Sequence, residues 1–79
     1  MTLRIISAED VLFEGDVTMV RLPGGNGEFT VLKNHAAIVS TLTQGNVMYT
    51  HADDGVTETR PVDGGIVKVE DNVVAVCVC

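Results

Sequence analysis

The chain is poor in several residue types, and each shortage narrows what it can be. It has no tryptophan, two phenylalanines and one tyrosine, so valine, isoleucine, leucine and threonine must build its core. Most of those are β-branched, and their stiff side chains suit a pleated sheet better than a helix. Basic residues are scarce: five lysines and arginines stand against eleven acids, for a net charge of −6. Such a surface repels phosphate backbones, which disfavours nucleic acid as a partner, and it offers no basic patch to adhere to anionic lipid. There is no apolar run of about 18 residues, the length a helical membrane span needs. The amino terminus, Met1 to Ser7, lacks the charged and long apolar regions of a secretory signal, so the chain is expected to stay in the compartment where it is made. The two cysteines, Cys77 and Cys79, are one residue apart. On a strand they would point the same way, about 7 Å apart, too far for an easy disulfide. As metal ligands they lack the usual spacer and a second ligand pair.

What is present reads as one domain over residues 1–79, small enough to bury only about 60% of the surface of its unfolded chain. Its charged fraction of 20% is too low for a disordered segment. Turn signals recur at short intervals: Gly15-Asp16, Gly24 to Gly27, Lys33-Asn34, Gln44 to Asn46, Asp53 to Gly55, Asp63 to Gly65 and Asp71-Asn72. Between them lie short runs rich in valine and threonine, the pattern of a flattened, mainly antiparallel β-sandwich or barrel of about eight to ten strands. The expected strands are 2–7, 11–14, 16–23, 28–32, 46–51, 56–62, 65–70 and 72–78. Residues 35–44 read as a short extended piece, with a single helical turn as the alternative. Gly64-Gly65 marks a bulge or a close backbone crossing, and Arg60-Pro61 an edge strand, because proline removes a ladder donor.

The last strand, Val73 to Cys79, is apolar on both faces. One face belongs to the core, and the other needs cover from a partner or from another part of the chain.

No residue set carries catalysis. Gly24-Gly25-Asn26-Gly27 lacks the lysine and hydroxyl of a phosphate loop and no helix follows, so it reads as a hairpin turn in which Gly24 and Gly27 take angles closed to other residues. Glu28 is presented beside that turn. His35 has no neighbouring nucleophile or second ligand and reads as a structural histidine bonded to backbone. His51, near a hairpin tip, reads as exposed. The carboxylates at Glu9, Asp10, Glu14, Asp16, Asp53, Asp54 and Asp63 sit mainly at turns, where aspartate serves local bonding. No cofactor or metal site is expected.

The segment Leu22-Pro23-Gly24-Gly25-Asn26-Gly27-Glu28-Phe29-Thr30-Val31-Leu32, with His35-Ala36 two residues on, resembles the signature of the epsilon subunit of F-type ATP synthases. Leu3 to Glu9, Leu12 to Val17, Leu42 to Val47 and Asp63 to Val69 resemble that family's other segments in the same order. The resemblance implies the family's amino-terminal β-sandwich without its carboxyl-terminal helical hairpin. It further implies a non-catalytic rotor subunit of the central stalk, coupling the gamma subunit to the membrane c-ring during proton-driven ATP synthesis. Such a subunit is peripheral to the cytoplasmic face of the bacterial inner membrane and is not inserted in it. Gly25, Asn26, Gly27 and Glu28 would meet the polar loops of the c-ring. His35 and, on the doubly apolar last strand, Val76 and Val78 would meet gamma. The sequence departs from the family where Lys33-Asn34 replaces Pro-Gly and Ala37 replaces proline. The rival reading is a small acidic β-domain acting as an adaptor in another complex.

Overall fold

In the computed structural model, which describes residues 1–79, valine-rich runs become eight strands with no helix among them. They are β1 (Thr2–Ile6), β2 (Val11–Gly24), β3 (Gly27–Leu32), β4 (Ile38–Leu42), β5 (Gly45–His51), β6 (Thr57–Val62), β7 (Gly65–Glu70) and β8 (Val73–Val78). The stretch expected to be extended or one helical turn is therefore extended, as β4.

The long strand β2 organises the rest. Its first half pairs with β1 and its second half with β3 and β5, with a register shift between Val17 and Met19. One layer holds β4, β7, β8, β1 and the start of β2, and the other holds β3, the end of β2, β5 and β6. Neighbouring strands run antiparallel except β1 and β8, which are parallel. The expected turn at Gly15-Asp16 is absent, because β2 runs through it for 14 residues. Gly15 is there to make room: a Cβ would lie 2.9 Å from Cζ of Phe13, whose ring folds back over that position.

Alternation places the core. Leu3, Ile5, Val17, Val20, Leu22, Val31, Val47, Val67, Val69, Val74 and Val76 are wholly buried between the layers, with Tyr49 beside them. Each wholly buried valine or leucine contributes about 1.5–3 kcal/mol relative to exposure. Pro61 lies on β6, which pairs only with β5, the edge position expected for it.

The double glycine is a close crossing. Gly64 and Gly65 have φ of 133° and 146°, and a Cβ on Gly65 would overlap the carbonyl oxygen of Cys77 on β8. The β7–β8 hairpin turns through Asp71 and Asn72 at φ of 51° and 64°, both residue types that tolerate the left-handed region.

Candidate functional site

Four features of the surface carry the candidate residues. The first is the β2–β3 hairpin. Gly24 still lies in β2, where it pairs with Gly27 on one side and Leu42 on the other. Only Gly27 of the two has positive φ, at 120°. Gly24 is small for a different reason: a Cβ would come within 2.8 Å of the Phe29 ring. The tip is tied on its β2 side to the end of β4 by two backbone bonds. The Gly25 N–H donates to the Thr41 carbonyl at 3.0 Å and the Thr43 N–H to the Pro23 carbonyl at 2.8 Å. The Thr43 hydroxyl donates to the same Pro23 oxygen at 3.3 Å. Gly25, Asn26, Gly27 and Glu28 are all exposed on this rigid tip. Glu28 meets Arg21, with 2.7 Å between Oε1 and Nη2.

The second feature lies at the opposite end. β3 and β4 run away from the tip and back to it, so His35, in the loop between them, sits about 20 Å away along the strands. Asn34 takes φ of 63°, and its N–H donates to Oδ1 of Asn72 at 3.0 Å. This bond joins the β3–β4 loop to the β7–β8 turn. The His35 N–H donates to the Leu32 carbonyl at 3.1 Å, and its ring Nδ1 lies 2.7 Å from the Ala36 carbonyl. That is the backbone-bonded, loop-fixing histidine the sequence suggests.

The third feature is the outer face of β1, β8, β7 and β4. Across it, Thr41, Ile66, Cys77 and Ile6 fall in one row, and Val39, Lys68, Ala75 and Arg4 in the next. Ile66 is 53% exposed and Val39 70%. Here the expectation for Val76 is overturned. Val76 and Val74 point into the core at 0% exposure, so neither can touch a partner. Val78 is half-buried and packs against the core. A strand's two faces alternate, and the outward register on β8 is Val73, Ala75 and Cys77. The doubly apolar run was legible, but its phase was not.

The fourth feature corrects His51. Far from being a freely exposed group, its side chain is 23% exposed and its ring sits edge-on, with centroids 5.5 Å from Phe13 and from Tyr49. Its Nε2 lies 2.7 Å from Oε2 of Glu58 on β6. The bond to Glu58 raises the imidazole above its usual 6.5, aided by the charges of Glu58, Asp54 and Asp53. The same bond holds Glu58 below the usual carboxylate value. Glu58 lies opposite Tyr49 and Thr57 opposite Thr50, so His51 reaches Glu58 on a diagonal beside the turn; their seven-residue spacing around Asp53-Asp54-Gly55 was the available signal. The pair joins the two strands of the hairpin beside its turn. No three metal-ligating side chains cluster anywhere. Surface grooves are open rather than enclosed by the core.

Comparison with known proteins adds three findings. Residues 1–79 match the family model described as ATP synthase, Delta/Epsilon chain, beta-sandwich domain. The ATP synthase epsilon chain of Desulfitobacterium hafniense is 40% identical over 75 residues, covering 95% of this chain and 55% of the relative. The epsilon chain of Campylobacter fetus is 42% identical over 76 residues, covering 96% and 58%. The chain thus spans little more than half the length of these curated relatives. Among solved structures, a chain of the Euglena gracilis mitochondrial ATP synthase aligns with a TM-score of 0.87 at 22% identity, covering 96% of this chain and 48% of that one. A chain from the central stalk and c-ring of the Tetrahymena thermophila enzyme aligns at 0.82 with 15% identity, covering 98% and 61%. These two share the fold.

Proposed function

The chain belongs to the β-sandwich domain family of the ATP synthase delta/epsilon chain, and from that premise we propose that it is a non-catalytic rotor component of the central stalk. In this reading it joins the gamma subunit to the polar loops of the c-ring, peripheral to the membrane on its cytoplasmic face. The observation that carries the reading is the family match across all of residues 1–79.

The geometry supports it. Transmitting torque needs stiffness, because a compliant joint stores twist instead of passing it on. The hairpin at Gly25 to Glu28 is the c-ring contact, and its β2 side is anchored by the bond from Gly25 to Thr41 of β4 and by two bonds from Thr43, just past β4, to Pro23. The gamma contact uses His35 and the outer face of β1, β8, β7 and β4, where Val73, Ala75, Cys77 and Ile66, in place of Val76, lie among the charged Arg4 and Lys68. Val78 is on the inward register with Val74 and Val76, half-buried against the core at the end of β8. Strand β4 connects the two contact regions mechanically, since it leaves the His35 loop and ends against Gly24.

Mixing the purified protein with gamma subunit, and separately with gamma bound to c-ring, tests the proposal by size-exclusion chromatography. Co-elution with both is expected. Failure to bind either would favour the adaptor reading, in which the same apolar face serves another complex.

A further inference from the structure

We infer that Cys77 and Cys79 together form a two-thiolate site for a soft, two-coordinate cation, Cu(I). The site stands on the geometry of β8 and does not depend on the rotor reading.

The strand places both thiols. Cys77 is the last outward residue of β8, and both cysteines are free and exposed. The ladder runs one residue past β8, because the Cys79 N–H donates to the Gly64 carbonyl at 3.3 Å. Alternation therefore carries on to Cys79, and the two side chains leave the same face about 7 Å apart. The backbone between them is held firmly. Gly65 crosses so close that a Cβ on it would overlap the Cys77 carbonyl oxygen. Ile6 of β1 and Ile66 of β7 stand on either side of Cys77, and opposite Cys79 is Gly64, with no side chain to crowd it.

Spacing decides what the pair can hold. A disulfide sets its sulfurs only about 2 Å apart, which this strand cannot meet without distortion. A linear sulfur–metal–sulfur unit spans roughly 4.6 Å, twice a metal–thiolate bond of about 2.3 Å. Each sulfur then leans inward by only about 1 Å from its Cα. No third His, Cys, Asp or Glu joins the two, so the chain offers neither the four ligands of a zinc site nor the oxygen shell of a hard cation. Two thiolates between aliphatic neighbours suit a soft monovalent ion that is content with two ligands. Binding turns two thiols and one Cu(I) into a bis-thiolate complex of charge −1 and releases two protons, so affinity rises with pH. Arg4 and Lys68 lie one row away on the same face, and their charges favour an anionic complex there. Cys77 also lies on the face read above as the gamma contact, so the site is open before assembly.

Anaerobic titration of the reduced protein with Cu(I), in competition with the chromophoric chelator bicinchoninate, tests the inference. One ion per chain is expected, with two protons released and a thiolate-to-copper absorption in the ultraviolet. Losing an outer partner of a metal ligand already costs about 10- to 100-fold, so Cys77→Ser and Cys79→Ser should each weaken binding by about 100-fold or more. Both positions are exposed, and circular dichroism should show both variants folded. A further variant moves the second thiol: Val78→Cys with Cys79→Ser keeps two cysteines but sets one on the inward register. It should bind as weakly as the single replacements. Undiminished affinity in either serine variant or in the moved pair overturns the inference. So does one ion shared between two chains, or failure of the unaltered protein to take Cu(I) from the chelator.

Discussion

His51 and Glu58 are diagonal neighbours across the β5–β6 hairpin with 2.7 Å between Nε2 and Oε2, and this pairing makes stability depend on pH. The His51 bond to Glu58 raises the imidazole above 6.5 in the folded state. A raised folded value contributes stability that is complete below the unfolded value and lost as pH rises through the folded one. Glu58 is lowered from 4.5 by the same bond, so its contribution is complete above 4.5 and lost as pH falls. Both are therefore at full strength between 4.5 and 6.5. The groups facing His51 are Phe13, Tyr49, Asp53, Asp54 and Glu58, and every charged one of them favours the imidazolium. Thermal melts should show the melting temperature falling slightly from about pH 6 to about pH 8. His51→Gln should flatten that slope; an unaltered slope in the variant would discard the assignment.

The two glycines at positions 27 and 65 separate conformational cost from steric cost. Gly27, at φ of 120°, has open space where a Cβ would go. Gly27→Ala should destabilise by about 1–2 kcal/mol, the cost of a side chain in that region. Gly65, at φ of 146°, has the Cys77 carbonyl in the way as well. Gly65→Ala should cost roughly 2–4 kcal/mol, because β7 and β8 must separate to admit the methyl. Urea denaturation of both variants measures the difference, and equal losses would mean that the crossing yields easily.

The outer and inner registers of β8 and its neighbour give opposite phenotypes. Val76→Lys buries an unpaired ammonium among wholly apolar neighbours, at a cost of several kcal/mol. That is comparable with the whole stability of a small domain, so the variant should be unfolded by circular dichroism. Ile66→Lys lies on the exposed face and should melt within a few degrees of the unaltered protein while failing to co-elute with gamma. A folded Val76→Lys variant would contradict the burial described above, and full gamma binding by Ile66→Lys would remove the apolar face from the interface.

Much of this architecture was legible because local signals dominate short strands. Asn34, Asp71 and Asn72 announce left-handed turns, and Val47 and Tyr49 announce the buried side of β5. The misreadings share a cause: one local pattern serves two non-local situations. Gly15 before an aspartate looks like a turn, yet here the glycine makes room for the Phe13 ring in mid-strand. Val73 to Val78 gives no phase by itself, because valine, alanine and cysteine all tolerate either face. Pairing with parallel β1 decides which of them point inward. His51 looked free because the ring that shelters it, Phe13, comes from β2, far away in the sequence.

Glu28→Arg isolates the charge of the hairpin from its shape. The substitution leaves the Gly27 turn and the bonds from Gly25 and Thr43 intact, since none of them uses the Glu28 side chain. It removes one exposed ion pair and sets two cations, at positions 21 and 28, on the same diagonal. Exposed pairs contribute only about 0.2–1 kcal/mol, and like-charge pairs cost a similar amount. The melting temperature should therefore drop by no more than a few degrees. Ring binding should suffer far more, because attraction becomes repulsion at the contact itself, where juxtaposed like charges cost several kcal/mol. A loss of ten-fold or more is the expected outcome at low ionic strength, shrinking as salt is added. Assembly on the ring at unaltered strength would remove Glu28 from the contact and leave the hairpin's backbone as its only contribution.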